Sequence, residues 1–301
     1  MKVLYTLEDL GSREALDAGA GKPARLAVIG WPVAFSASPG MHQAALDAHG
    51  IDARYIRLEV KPGQVSLAFD RMRALDFIGC NVTVPHKLDA LKCCTEVDGG
   101  ARVLGAVNTV RFDRDATRGF NTDGPGFSRA IEEDFGVSLI GLRVAIAGAG
   151  GGAGQAIAAQ SVLSGVVKLV LVNRTVAKLG ALAERLTKIG RPTEIISLSL
   201  DDESLAEHCR GCDLIVNTSS VGLRAGDSAI LPAGCLLPRQ CVYDTIYQPR
   251  MTPLLALAGE LGCRCSGGLS MLLQQGGLAF RHWFPQSEPL AMMRAALAQR
   301  S

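Results

Sequence analysis

The chain carries no block of like charge. Its 31 basic and 29 acidic residues are interspersed over 301 positions and leave a formal charge of +2. That pattern excludes the basic stripe of a nucleic-acid binder and the polybasic face of a membrane-surface protein. An apolar core is missing from the opening MKVLYTLEDLGS, where Glu8 and Asp9 stand in the place of a secretory segment. The nine cysteines are odd in number and follow no periodic framework. A disulfide scaffold is therefore excluded, and free thiols in a reducing, cytoplasmic setting are expected. Cys209 and Cys212 have C-x-x-C spacing, but no second pair completes a metal site, and none is assigned. Val144 to Val167 lacks any charged residue, yet its six glycines, two glutamines and two serines make it a poor lipid-spanning segment. A buried strand, a glycine turn and a buried helix explain it better. There is no repeat and no low-complexity linker.

What is present is a dense core: 48% hydrophobic and 20% charged residues, the balance of a well-packed soluble enzyme with two compact domains or one large one. Residues 1–24 read as a loosely specified lead-in with a short helix capped by Ser12. RLAVIG (25–30) is a buried strand, the stretch after SASP a helix to about His49, and ARYIRLEV a second strand. GCNVTVPHK (79–87) is a third, with Asn81 and Thr83 two apart and hence on one face, Val82 and Val84 on the other. Pro85 ends its ladder, having no N–H to donate. AVNTVRF and TRGFNTDG pair through the Asp113-Arg114-Asp115 turn. From residue 142, apolar strands alternate with helices, which implies parallel βαβ units. Helices over 269–283 and 288–299 close the chain.

GAGGGAG (148–154) follows a strand and opens a helix, the context of a dinucleotide fingerprint. Gly148 would make the tight turn, Gly150 the close approach to pyrophosphate, and Ala153 the third, packing position. The helix N-terminus offers its N–H groups and the positive dipole end to phosphate. No acidic residue occurs from Val166 through Ala183, where an NAD site would place one on the ribose hydroxyl. Asn173, Arg174, Thr175 and Lys178 stand there instead, and an arginine fork matches phosphate oxygens in pairs. NADP is the better match. Ser36 and Ser38, ahead of Pro39, place two hydroxyls where they can converge on a small anion, although Ser38 also suits a helix cap. Asp123 leads towards the cofactor segment and equally suits a turn or cap.

Taken in order, GWPVAFSASPGMH, GCNVTVPHK, GAVNTV, GFNTDG, GAGGGAG, VNRT, DTIYQPRMTPLL and GGLSMLLQQGGLAF resemble the shikimate dehydrogenase family, over about residue 26 to residue 284. The resemblance implies an α/β protein of two domains. Residues 1–123 with 268–301 would bind substrate. Residues 124–267 would form a Rossmann-type, doubly wound NADP domain, with the active site in the cleft. It implies reversible, NADPH-dependent reduction of 3-dehydroshikimate to shikimate, with no nucleic acid or membrane partner and a monomer or homodimer. By the same resemblance Lys87 and Asp123 are the catalytic pair. Ser36 and Ser38 would hold the substrate carboxylate with Tyr247, and Asn81, Thr83, Asn108 and Gln275 would bind its other polar groups. Gly148, Ala149, Gly150, Gly151, Gly152 and Ala153 would hold cofactor, with Asn173, Arg174, Thr175, Lys178 and Gly268; Met271 would pack near the nicotinamide.

Elementary chemistry agrees. Hydride delivery to a ring carbonyl leaves negative charge on oxygen, and a lysine supplies both a cation and a proton. Lysine starts near pKa 10.4, so proton exchange at neutral pH needs tuning that a neighbouring aspartate opposes. Three departures from the family pattern stand out: Phe35 in place of a common histidine, Gly154 in place of a common basic residue, and the long lead-in. The rival readings are a broader quinate/shikimate dehydrogenase, a silent NADP-binding regulator on the same fold, and a folate-linked dehydrogenase. The last leaves Ser36 and Ser38 beside NVTVPHK unexplained.

Overall fold

Two sheets, whose central strands are buried on both faces, organise the chain. The structure, a computed structural model, describes residues 2–299. It divides into two units, one formed by residues up to Thr122 with those from Leu273 on, the other by Asp123–Leu272.

The first unit runs β1 (Tyr5–Thr6), a 3-10 turn over Leu7–Gly11, α1 (Arg13–Asp17), β2 (Ala24–Gly30), α2 (Ser38–Ala48), β3 (Arg54–Glu59) and α3 (Val65–Ala74). It continues through β4 (Gly79–Val82), α4 (Lys87–Cys93), β5 (Glu96–Val97), α5 (Gly99–Leu104), β6 (Thr109–Phe112) and β7 (Thr117–Phe120). Its sheet has the order β1-β3-β2-β4-β6-β7-β5. The pairs from β1 to β4 are parallel, and the expected hairpin of β6 and β7 is antiparallel, as is the β4–β6 pair.

The lead-in is not loose. Tyr5, Leu7, Leu10 and Leu16 are buried in the core of this unit, and β1 adds a parallel edge to β3. Ser12 caps α1 as expected, accepting from Ala15 N at 3.1 Å. Arg54 does the stitching: its guanidinium reaches Tyr5 OH, Leu16 O, Asp17 Oδ1 and Lys22 O. The spacing of four apolar residues in a polar, glycine-containing stretch is too irregular to signal this, because the segment is held by long-range partners rather than by its own periodicity.

The second unit comprises α6 (Asp123–Phe135), β8 (Arg143–Ala147), α7 (Gly152–Leu163), β9 (Lys168–Val172), α8 (Ala177–Thr187), β10 (Glu194–Leu198), α9 (Leu205–Arg210) and β11 (Leu214–Asn217). After a long connection with one 3-10 turn come β12 (Cys241–Asp244), α10 (Pro253–Glu260) and β13 (Arg264–Gly267). The sheet is all parallel, in the order β10-β9-β8-β11-β12-β13. That is the doubly wound arrangement, in which strand order reverses between β8 and β11 and ligands bind at the carboxyl ends there. α11 (Leu269–Trp283) and α12 (Leu290–Ala298) end the chain. The Trp283 indole donates to Val110 O at 2.9 Å, and α12 packs on α2. No helix among the described residues is long and apolar enough to cross a membrane; the uncharged stretch from Val144 is β8, the glycine turn and α7.

Candidate active site

In the first unit, the expected residues gather at the carboxyl ends of β2 and β4, which lie side by side. Thr83 N donates to Ile29 O at 2.9 Å, and Trp31 N to Val84 O at 3.0 Å, so the two strand exits are laced together. Gly30 is required there, because a Cβ would sit 2.5 Å from the Thr83 methyl. The shared strand face of Asn81 and Thr83 holds only in part. β4 stops at Val82, Thr83 stands in the exit, and Val84 is 62% exposed instead of packing opposite. Pro85, without an N–H, ends the ladder early. Lys87 follows as the first residue of α4, half-buried, its carbonyl accepting from Val107 N at 3.0 Å. That contact ties α4 to the residue preceding Asn108.

Asn81 and Asn108 belong to one buried network. Asn81 Oδ1 accepts from Tyr55 OH at 2.7 Å, while its Nδ2 donates to Thr109 Oγ1 at 3.1 Å and Asn108 O at 3.3 Å. Both amide protons of Asn81 are therefore engaged inside the protein. Asn108 Oδ1 accepts from Thr122 N at 2.8 Å, and its Nδ2 donates to Thr122 Oγ1 at 3.0 Å. Tyr55, Thr109 and Thr122 are parts that sequence reasoning missed: the first two lie in strands and the third just before α6, where nothing local marks a hydrogen-bond partner. His42 stacks on the Tyr55 ring, with centroids 4.6 Å apart, and burial pushes its pKa down to about 3.

Ser38 is not the helix cap. It is the first residue of α2, the cap position is Ala37, and Ser36 Oγ accepts from Ser38 N at 3.3 Å. Arg57 donates twice to Ser36 O, at 2.7 and 3.2 Å, and so fixes the serine loop from β3. Gln275 lies on α11, and the next residue, Gly276, packs against Met41 and His42 of α2.

In the second unit, Gly148, Ala149, Gly150, Gly151, Gly152 and Ala153 lie between β8 and the first turn of α7, at the reversal point of the sheet. Gly148 has φ +81°, and a Cβ on it would stand 2.7 Å from Ser219 N. A Cβ on Gly150 would press on the Asn173 side chain at 3.0 Å. The packing position is Gly154 rather than Ala153: a Cβ there would come within 2.6 Å of Gly148 O and 2.7 Å of Ala149 Cα. The basic side chain common in the family has no room at Gly154 on this backbone. The loop, with N–H groups of the first helical turn lacking intrahelical acceptors, forms a cradle that fits a dinucleotide pyrophosphate.

Asn173 follows β9 and holds the adjacent loop through Thr175 O at 2.9 Å, leaving Arg174, Thr175 and Lys178 exposed beside it. Asp123 is buried at the head of α6. Met271 N donates to Tyr243 OH at 3.1 Å, and Gly268 N to Ile246 O at 3.0 Å, which fixes the start of α11 near the loop bearing Tyr247.

A doubly wound sheet with a glycine cradle at its reversal point, joined to a second α/β unit with a lysine at a polar strand exit, defines a two-unit, dinucleotide-dependent oxidoreductase. Comparisons narrow the class. The profile of the shikimate dehydrogenase substrate binding domain matches residues 28–110. The shikimate dehydrogenase (NADP(+)) of Geobacter metallireducens is 39% identical over 276 residues, 91% of this chain and 96% of that protein. The shikimate 5-dehydrogenase of Listeria monocytogenes, solved with shikimate and NAD, superposes with a TM-score of 0.85 at 32% identity, covering 91% of this chain and 96% of that one. A quinate dehydrogenase of Corynebacterium glutamicum, solved with NAD, gives 0.82 at 31% identity, covering 91% and 98%. The chain belongs to the shikimate dehydrogenase family.

Proposed function

We propose that this protein catalyses the reversible, NADPH-dependent reduction of 3-dehydroshikimate to shikimate, its substrate held by the first unit and NADP by the second. The observation that carries this reading is the strand exit 83–87, where Thr83, Lys87 and the Asn108 carbonyl region are tied together by Val82 N donating to Asn108 O at 2.8 Å and Val107 N donating to Lys87 O at 3.0 Å. When bound, the cofactor supplies hydride. Lys87 holds the developing alkoxide and delivers the proton to it, and Asp123 is its acidic partner. Ser36 and Ser38, with hydroxyls not spent on capping α2, and Tyr247 receive the carboxylate. Thr83, Asn108 and Gln275 orient the ring hydroxyls; Asn81 braces Asn108 and Thr109 and presents only its remaining acceptor lone pair. A polyhydroxylated ring penalises any site that leaves such groups unpaired, which supports a polar set of this kind.

NADP over NAD is supported by Arg174 and Lys178 where an acid would serve NAD, and by the names of the curated relatives. Quinate is the second reading, favoured by the likeness to the Corynebacterium enzyme. Initial rates with shikimate and quinate, each against NADP and NAD, separate the two. Shikimate with NADP is expected to give the highest kcat/KM. Equal efficiency on quinate overturns the narrow assignment, and no turnover on either substrate points to a silent regulator.

A further inference from the structure

Asp244 is a fully buried carboxylate with no Lys or Arg beside it among the described residues. Burial pushes its pKa up, while three neutral donors, Ile246 N–H, Thr252 and Asn217, pull it back by stabilising the charged form. Natural cores seldom keep so costly a group without a use for it. Asp244 ends β12 and lies in register with Asn217, which ends β11. Asn217 Nδ2 stands 3.1 Å from both carboxylate oxygens. The remaining contacts of this pair run in two directions.

Towards the cofactor cradle, Asn217 Oδ1 accepts from Ser219 N at 2.9 Å and from Ser219 Oγ at 2.7 Å. Ser219 is the residue against which Gly148 closes, and Thr218 Oγ1 bonds Ala147 O at 2.9 Å beside Gly154. Towards the substrate loop, Asp244 accepts from Ile246 N at 3.0 Å and from Thr252 Oγ1 at 2.7 Å. Thr252 in turn caps α10 by accepting from Leu255 N at 3.3 Å. The carboxylate thus closes both ends of the loop 245–252, which carries Tyr247.

We propose that Asn217 and Asp244 are positioning residues that couple the glycine cradle to the Tyr247 loop, so that cofactor binding and substrate binding report on each other through one buried amide–carboxylate pair. The inference rests on the reading of Tyr247 as a substrate contact and deepens it. A shared hydrogen-bonded element with partners on two sites is the physical requirement for coupling between them. Damage confined to one side would stay on that side; damage relayed through the pair would cross.

The test uses the full-length protein and one lesion on each side. Thr252→Val removes the hydroxyl on the substrate side, and Ser219→Ala removes the one on the cradle side; thermal unfolding confirms that each variant is folded. NADPH affinity is read by fluorescence titration without substrate, and KM for shikimate is read separately from kcat. Coupling predicts crossed effects of at least about threefold: Thr252→Val weakens NADPH, and Ser219→Ala raises KM for shikimate. Thr252→Ser, which keeps the hydroxyl, should return NADPH affinity to within twofold of the parent protein. Effects limited to each variant's own side, or no effect, overturn the proposal. Failure of the parent protein to turn over shikimate would sink the functional reading instead, while the NADPH titration of Thr252→Val would still decide whether the pair couples the loops.

Discussion

Replacing Arg54 by methionine tests how the lead-in is held. The substitution keeps the apolar stem and removes a guanidinium that bonds Tyr5 OH, Leu16 O at 3.1 Å, Asp17 Oδ1 at 3.0 Å and Lys22 O at 3.3 Å. Breaking a buried ion pair costs about 3–5 kcal/mol when the partner is left alone in the interior. Asp17 is not left alone: its side chain is 20% exposed, and it keeps Arg13 at 3.1 Å and Ala24 N at 2.8 Å. The loss is therefore placed lower, at about 2–4 kcal/mol, mostly the unpaired Tyr5 hydroxyl and two carbonyls. In a unit of this size that lowers Tm by roughly 4–16 °C. Both tryptophans of the chain, Trp31 and Trp283, lie in the first unit, so their fluorescence during urea unfolding reports that unit. A change below about 0.5 kcal/mol, the range of a neutral surface substitution, would refute the account of the lead-in as part of the core. Deleting residues 2–12 should destabilise the protein too, and the two lesions together should cost less than their sum.

Other outcomes can be checked alongside. Lys87→Ala should lower kcat by about three orders of magnitude or more while NADPH titration stays near the parent value; ordinary turnover would remove Lys87 from the chemistry. Arg174→Ala should weaken NADP more than NAD through loss of a charge-assisted phosphate contact, and an unchanged ratio of the two affinities would count against that role. Gly154→Ala drives a methyl into Gly148 O and Ala149, at a cost of about 1–3 kcal/mol in stability with weaker NADPH binding; a neutral result in both would show the loop to be less tightly packed than described. His42 is held neutral by burial, with its pKa pushed down to about 3. The unfolded chain takes up that proton from about pH 6.5 downward, so stability falls as pH drops through the window from about 6.5 to 3, by at most about 1.4 kcal/mol per pH unit. His42→Leu should flatten the acid limb of stability in urea titrations; an unchanged slope would mean that water reaches the ring.

Much of the architecture can be read from residue order alone, because strand and helix periodicities are written in consecutive residues. RLAVIG, VKLVLVN and the glycine run each declare their element, and α11 spans Leu269–Trp283, as its spacing requires. What escaped depends on partners far along the chain. Tyr55 meets Asn81 across 26 positions, Asn217 meets Asp244 across 27, and Arg54 meets Tyr5 across 49. The error at Gly154 was one of register: a run of seven small residues (148–154) offers several equal alignments to a fingerprint, and only the backbone path selects one. Thr83 illustrates a finer limit. Its strand partner survives, yet the proline two residues on decides where the side-chain alternation ends.

The division of the chain has a consequence for biosynthesis. The second unit is one uninterrupted segment, whereas the first needs α12 packed on α2 and Trp283 bonded to Val110 before its interior is complete. A ribosome therefore releases every residue of the second unit before it releases the last pieces of the unit that began first. The N-terminal sheet must wait, with Gly79 and Met41 uncovered, until the final thirty or so residues emerge. A nascent chain stalled just short of Trp283 would expose that apolar face to chaperones while already holding every residue of the second unit.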